Sequence, residues 1–292
     1  MIQRYTLVIA AALTSFFLHA DAIKDIRARG YVKCGVSENT PGFSARNKYR
    51  NIIGFEADAC RAVALTLLDD ANSVEFVPTT NREKIEALTS GKVDILYHHT
   101  TKTMEREESN HITFGSSYYY DQQMILTSRS LHAKNIADLE QAKICTNSQH
   151  LSHKLSEYAS KHHTKLNIIH TETWNDSVIK LNTGYCNAVS AGHTSLTYIQ
   201  SKLTNPSGFV VMDQTIAPET LGPSVRAGDE GLLEVAQYIL ATQIKAEELG
   251  VNSYNVLSIR NSNESSDQKD MLTSARGLTR KYKLNKNWQT RL

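Results

Sequence analysis

Twice along this chain a short apolar run gives way to a helical stretch and then to another apolar run, and that rhythm leaves little choice of architecture. After a helical start, IKDIRARG, the run YVKCGV reads as a strand, the turn-rich SENTPGFSARN follows, and in GFEADACRAVALTLL the apolar residues recur at helical spacing. VEFVPTT, NREKIEALTSG and VDILY then read as strand, helix and strand, with Gly91 placed as a C-cap glycine. The middle of the chain repeats the plan with AKICTN, HLSHKLSEYASK, LNIIHTE, DSVIKLNTGY and CNAVSAG. Strands and helices alternating in such short succession predict α/β units built on parallel sheet. Between the units lies FGSSYYYDQQMILTS, extended and β-prone, and the chain turns back through GFVVMDQTIAPETLGPSVRAGD. Two extended crossings predict two lobes on a hinge.

The first residues, MIQRYTLVIAAALTSFFLHADA, carry Arg4, an apolar run from Tyr5 to Leu18, and an Ala-x-Ala pattern at Ala20 and Ala22. They read as a signal peptide, residues 1–22, cut after Ala22, because the apolar run is shorter than the roughly 20 residues a membrane span needs. No cysteine lies near the cut, so a lipoprotein is not expected. From Ile23 onward the chain is long enough for two domains of about 100 to 200 residues each. Its net charge of +2 is spread without a basic block, so nucleic acid is excluded as a partner. Four cysteines, Cys34, Cys60, Cys145 and Cys186, fall into an N-terminal couple and a central couple, with no CxxC. An even set in an exported chain favours disulfides and suggests two separately stapled units; four buried thiols are the alternative.

In this order and spacing the stretches CGVSENTPGF, GFEADACRAVA, TSGKVDIL, HHTTKTMERE, SYYYD, LGPSVRAGD, AEELGV and NW resemble the periplasmic general L-amino-acid-binding proteins of polar amino acid ABC importers, solute-binding protein family 3. The resemblance runs from Ile23 to about Trp288. It implies a periplasmic-binding-protein type II fold, the Venus flytrap: two α/β lobes joined by two hinge strands, with lobe 1 from residues 23–121 and 219–292 and lobe 2 from residues 122–218. It also implies one bridge per lobe, Cys34 with Cys60 and Cys145 with Cys186.

In LYHHTTKTMERE a strand ends and a helix begins near Thr103, whose hydroxyl suits an N-cap and whose followers Glu105 and Glu107 suit the positive end of a helix. Arg106 offers a planar fork for a carboxylate. The resemblance assigns Arg106 and Thr101 to a ligand's α-carboxylate and the His99 carbonyl to its ammonium; the residues alone allow Arg106 to be a helix-surface arginine paired with Glu105 or Asp121. His98 and His99 are consecutive, so they are not expected to share one metal ion, and no metal or cofactor is expected. The Pro-Gly turn of SENTPGF brings Thr40 and Phe43 toward the cleft mouth, with core packing the default for Phe43.

In lobe 2 the family pattern Gly-Thr-Thr after the first cysteine strand is replaced by Gln149, His150 and Leu151, with Ser152 next, and the aspartate that holds the ammonium is replaced by Gly192, followed by His193. His150, Ser152, Gly192 and His193 are the expected ligand contacts there. A buried ammonium without a partner is costly, so the expectation is a ligand with a carboxylate at Arg106 and a bulkier or less cationic remainder. The chain is expected to be a monomeric, non-enzymatic periplasmic receptor that hands a small solute to an inner-membrane ABC permease. The alternatives are a cyclohexadienyl-dehydratase-like enzyme on the same fold, for which no paired carboxylates or nucleophile with a base stand out, or a degenerate binding protein with a sensory or adhesive role.

Overall fold

A computed structural model of the chain describes residues 21–263 and 266–292. The signal-peptide reading therefore lies outside the described residues except for its last two. Asp21 caps the first helix by accepting from the Lys24 amide, and the Ala22 amide donates to the buried Asp229 carboxylate at 3.1 Å. None of the described helices is long and apolar enough to cross a membrane.

The chain runs α1 (Ala22–Arg29), β1 (Val32–Val36), a small antiparallel trio β2 (Asn39–Thr40), β3 (Ser44–Arg46) and β4 (Ile52–Ile53), then α2 (Phe55–Leu68), β5 (Val74–Pro78), α3 (Lys84–Thr89), β6 (Ile95–Leu96), α4 (Met104–Asn110) and β7 (Ile112–Phe114). It crosses on β8 (Tyr119–Ser128) and continues as β9 (Lys143–Thr146), α5 (Gln149–Lys161), β10 (Asn167–His170), α6 (Trp174–Asn182), β11 (Ala188–Gly192), α7 (His193–Ser201) and β12 (Phe209–Val211). It returns through β13 (Ala217–Leu221) to β14 (Ser224–Arg226), α8 (Glu230–Glu248), α9 (Val256–Asn261), α10 (Asp267–Thr273), α11 (Arg276–Lys281) and α12 (Trp288–Arg291).

Besides the β2–β4 trio, the described residues form two larger sheets, in the orders β5-β1-β6-β14-β7 and β10-β9-β11-β8-β12, with β13 paired to β8. Each contains the parallel α/β unit expected of it, but each is mixed. β14 is antiparallel to β6 and β7, and β8 is antiparallel to β11 and β12, because these strands belong to the crossings and enter the sheets from the other lobe. Both sheets are covered on both faces, which is why their strands read as apolar runs. In the first, Val32, Val63 and Val235 pack on one side and Leu88, Leu96 and Phe114 on the other. In the second, Val189, Leu196 and Ile199 face one core while Ile125, Ile144 and Leu155 face another.

The crossings pair with each other. β13 lies antiparallel to the start of β8, from Ala217 opposite Gln123 to Leu221 opposite Tyr119. The lobe boundaries expected at 121/122 and 218/219 fall on this ladder, where Asp121 stands opposite Glu219 and Gln122 opposite Pro218.

One glycine fixes the loop above the cleft. Gly54 has φ +117°, and a Cβ on it would lie 2.5 Å from the Phe43 carbonyl oxygen, so only glycine lets the loop close on the start of α2. There the Phe55 amide donates to Gly42 O at 2.9 Å and the Glu56 amide to Phe43 O at 2.8 Å.

Cys34 of β1 is bonded to Cys60 of α2, and Cys145 of β9 to Cys186 just before β11, with sequence separations of 26 and 41. Closing loops of these lengths restrains the unfolded chain, so replacing either pair by alanines should cost about 2–4 kcal/mol in denaturant unfolding. Peptide mapping without reduction should return these two bridges and none between lobes.

Candidate ligand-binding site

Where β6 and α4 meet the hinge, the residues His98 to Arg106 form the first-lobe wall of a cleft enclosing a cavity of ≈ 270 Å³. The wall is tied to β13: Thr101 bridges Leu221, and the Lys102 amide donates to Thr220 O at 2.8 Å. Thr103 caps α4, its hydroxyl accepting from the Arg106 amide at 3.2 Å. That cap turns Arg106 back toward the sheet, where its guanidinium donates to Thr101 O at 2.5 Å and lines the cavity. It is half-buried and makes no ion pair with Glu105 or Asp121.

His98 and His99 part company. His98 is buried, its Nε2 2.7 Å from Thr79 O, and burial beside the Lys84 charge pushes it down to about 3, so it is neutral. His99 adopts φ +49° and faces the cleft, its Nε2 3.0 Å from Thr194 Oγ1 of the second lobe. Among the described residues no group of three or more His, Cys, Asp or Glu is placed to hold a metal ion.

Under this wall sits Glu56, on α2 and fully buried. Its carboxylate accepts from the Ser44 hydroxyl at 2.9 Å, the His99 amide at 2.5 Å and the Tyr118 hydroxyl at 2.6 Å. Burial and then the Glu56 charge hold the Tyr118 phenol well above its ordinary range, so it remains a donor. Lys84, 4% exposed at the start of α3, also lines the cleft. Its ammonium donates to Asn81 Oδ1 at 3.0 Å, His98 O at 3.2 Å and His99 O at 3.4 Å, all neutral acceptors. Burial, with Arg106 close enough to add to the effect, pushes it down to about 7.

The hinge strands contribute two further carboxylates. Asp121 of β8 accepts from Thr194 Oγ1 at 2.7 Å and lies 3.5 Å from His99 Nε2. Burial pushes its carboxyl up, but the hydrogen bonds from His99, Thr194 and the Gln122 amide outweigh it and leave the group below its ordinary range. Glu219 of β13 accepts from the Thr101 hydroxyl and lies 3.4 Å from His150 Nε2.

From lobe 2 the wall is made by Asn147 and Ser148 ahead of α5, by Thr173 and Trp174 at the start of α6, and by Gly192 and Ser195 around the start of α7. The lobes touch: Asn81 Nδ2 donates to Asn147 Oδ1 at 3.0 Å, and Arg82 lies 3.3 Å from Glu172.

Of the residues expected from sequence, Arg106, Thr101, His99, Thr40 and Gly192 line this cavity together, and His150 reaches its edge through Glu219. Phe43, Ser152 and His193 do not line it. Phe43 packs edge-on against His99 at 4.5 Å and Tyr119 at 4.9 Å because the Gly54 turn folds it inward, where it braces the histidine. Ser152 points to His170 Nε2, 3.4 Å away, because Ser148 and Leu151 take the positions at the start of α5 that face the cleft. His193 is exposed, and Ser195, two residues on, takes the inward position. Gly192 does not leave open room, because the Asp121 carboxylate fills the space beside it. Lys84, Glu56 and Glu219 are not placed in the site by the sequence, which names Asp121 only as a candidate partner of Arg106. For Glu56 and Glu219 the available signal is charge within otherwise apolar segments, FEADAC and APETL.

A model of the bacterial extracellular solute-binding proteins, family 3, matches residues 32–251. The general L-amino acid-binding periplasmic protein AapJ of Rhizobium johnstonii is 30% identical over 83% of this chain and 72% of its own length. The glutamate/glutamine/aspartate/asparagine-binding protein BztA of Rhodobacter capsulatus is 27% identical over 91% of this chain and 79% of its own. Among solved structures, an ABC transporter periplasmic binding protein from Brucella ovis with glutathione bound superposes with a TM-score of 0.86 at 28% identity, covering 93% of this chain and 86% of the other.

Replacing Glu56 by alanine leaves the Ser44 hydroxyl, the Tyr118 hydroxyl and the His99 amide without their acceptor. The expected cost is about 2–4 kcal/mol in denaturant unfolding. Glu105→Ala, on the exposed face of α4, should change stability by less than about 0.5 kcal/mol. Equal effects would show that the Glu56 contacts do not hold the cleft wall.

Proposed function

The chain belongs to the bacterial extracellular solute-binding proteins, family 3, and from that membership we propose that it captures an amino acid or a small peptide-like carboxylate between its lobes and delivers it to an inner-membrane ABC permease. The reading is carried by one observation: Arg106 and Lys84 stand close together on the cleft wall, and among the described residues no carboxylate is in ion-pair contact with either. Two such cations are the complement of an anionic solute. A solute with more than one carboxylate satisfies both, and the similarity to AapJ, to BztA and to the Brucella protein with glutathione bound supports a class running from amino acids to a small peptide.

Export and a periplasmic site of action belong to the same proposal. A mature chain beginning at Ile23 gives up both the Asp21 cap of α1 and the Ala22–Asp229 hydrogen bond; N-terminal sequencing of exported protein tests the cut after Ala22. The proposed lobe division at 121/122 and 218/219 is supported by its position on the β8–β13 ladder, across which closing would swing α5, α6 and α7 against His99, Asn81 and Arg82.

Native mass spectrometry of gently purified protein identifies the occupant of the cleft, and calorimetry with the twenty L-amino acids, glutathione and simple dicarboxylates measures its affinity. Arg106→Ala should weaken the tightest of these by about 2–5 kcal/mol while leaving the unfolding midpoint of the free protein nearly unchanged. Each compound should be recovered unaltered and should stimulate ATP hydrolysis by the reconstituted permease; an altered product would replace this proposal by the enzyme reading.

Lys84 adds a pH dependence. Its ammonium is charged in the free protein below pH 7 and lost above it. A bound carboxylate favours the charged form, so binding takes up a proton and affinity should fall as pH rises from about 7 to about 9. Lys84→Met should flatten that slope. The free protein moves the other way: the unfolded chain keeps the Lys84 proton to a higher pH than the folded one, so this group adds stability as pH rises above 7.

A further inference from the structure

Gly192 ends β11 on the cleft wall, opposite Gln123 of β8. A Cβ built on it would lie 2.6 Å from Asp121 Oδ2, inside any real van der Waals contact, so Asp121 occupies the volume that a side chain at position 192 would need. The acid and the gap fit each other. A carboxylate is present at this place in the cleft, but it is borne by the first hinge strand instead of the second-lobe sheet.

Asp121 has capacity to spare. Its Oδ1 accepts from the Gln122 amide at 2.8 Å and its Oδ2 from Thr194 Oγ1 at 2.7 Å, with His99 Nε2 3.5 Å away. An ionised carboxylate offers about four acceptor sites. Directly across the ladder stands Glu219, 4% exposed, whose Oε1 accepts no hydrogen bond, with His150 Nε2 3.4 Å from it. Like charges opposed on one rung of a sheet repel, and a buried oxygen without a donor is costly to keep. A cationic group entering the cleft at this rung relieves both.

We propose that Asp121, with Glu219 across the hinge rung, takes the ammonium of the solute in place of a carboxylate at position 192. The inference rests on the solute-binding reading above. It makes the ammonium contact part of the hinge: Thr194 of α7 donates to Asp121 and lies 3.0 Å from His99 of the first lobe, so the acid that holds the solute also holds the two lobes together.

The test is calorimetry with the twenty L-amino acids and glutathione, each beside its N-acetyl derivative. Asp121→Asn keeps the shape and removes the charge; it should weaken the tightest free amine by about thirtyfold or more while changing the N-acetyl derivatives by less than about threefold. Gly192→Asp alone should weaken every compound, because its Cβ meets Asp121. Combined with Asp121→Ser, it should restore most of the preference for a free amine, which a merely structural Asp121 would not predict. Thermal melts of each variant separate lost folding from lost binding, and the double variant carries the test if Asp121→Asn folds poorly. If Asp121→Asn keeps the wild-type preference and the double variant gains nothing, the inference is overturned while the solute reading stands. A wild type that binds no member of the panel overturns the solute reading and this inference with it.

Discussion

Everything in the cleft hangs on the antiparallel ladder of β8 and β13, from Ala217 opposite Gln123 to Leu221 opposite Tyr119. Among the described residues the two sheets share no strand; β8 and β13 pair within the second sheet and carry the chain to and from the first, so the ladder is both the joint between the lobes and the floor of the cavity. The loop carrying Thr101 is pinned to it by the bridge to Leu221 and by the Lys102 amide on Thr220. Because strand neighbours alternate faces, Asp121 and Glu219 rise from the same rung toward the same side. A rotation of the lobes would displace them least and would bring Thr194, Asn147 and Glu172 to or from the first-lobe wall.

The charges around that floor are not equivalent. Glu56 is spent on structure: three donors converge on it, and through the His99 amide it holds a histidine at φ +49° facing the cleft. Lys84 has three neutral acceptors and no carboxylate in contact, so its charge is sensitive to whatever anion comes near. Arg106 stays charged in any surroundings at neutral pH. By contrast the Arg82–Glu172 pair across the cleft mouth is well exposed, and a pair of that kind contributes about 0–1 kcal/mol. Closure must therefore draw on contacts with the solute and the buried hydrogen bonds more than on the rim.

Sequence and structure disagree in an instructive way over Gly192. Read along the chain, a glycine where a carboxylate is expected means a lost charge and added room. In the fold, the register of β11 against β8 sets Asp121 beside it, and the room is taken by the charge. The electrostatic character of the place is kept while the strand that supplies it changes.

The alternation of strand and helix determined both α/β units, the two crossings and the Thr103 cap of α4, because these depend on residues within a few positions of one another, while the residues alone leave Arg106 free to face the cleft or the helix surface. The cysteine couples and the two extended crossings suggest two separately stapled lobes, and the pairing itself comes only as what the family resemblance implies. What the tertiary structure alone decided is which distant charges meet. Glu56 reaches His99 across α2 and β6, Asp121 reaches the gap at Gly192 through strand register, and Glu219 faces Asp121 only because the chain returns antiparallel to its own first crossing. The same cause displaced Phe43, Ser152 and His193 from the cleft, since whether a side chain faces the cavity depends on where a loop folds and where a helix turn begins. Local sequence sets the elements; contacts between residues far apart in the chain set the chemistry of the cleft, and no local pattern encodes them.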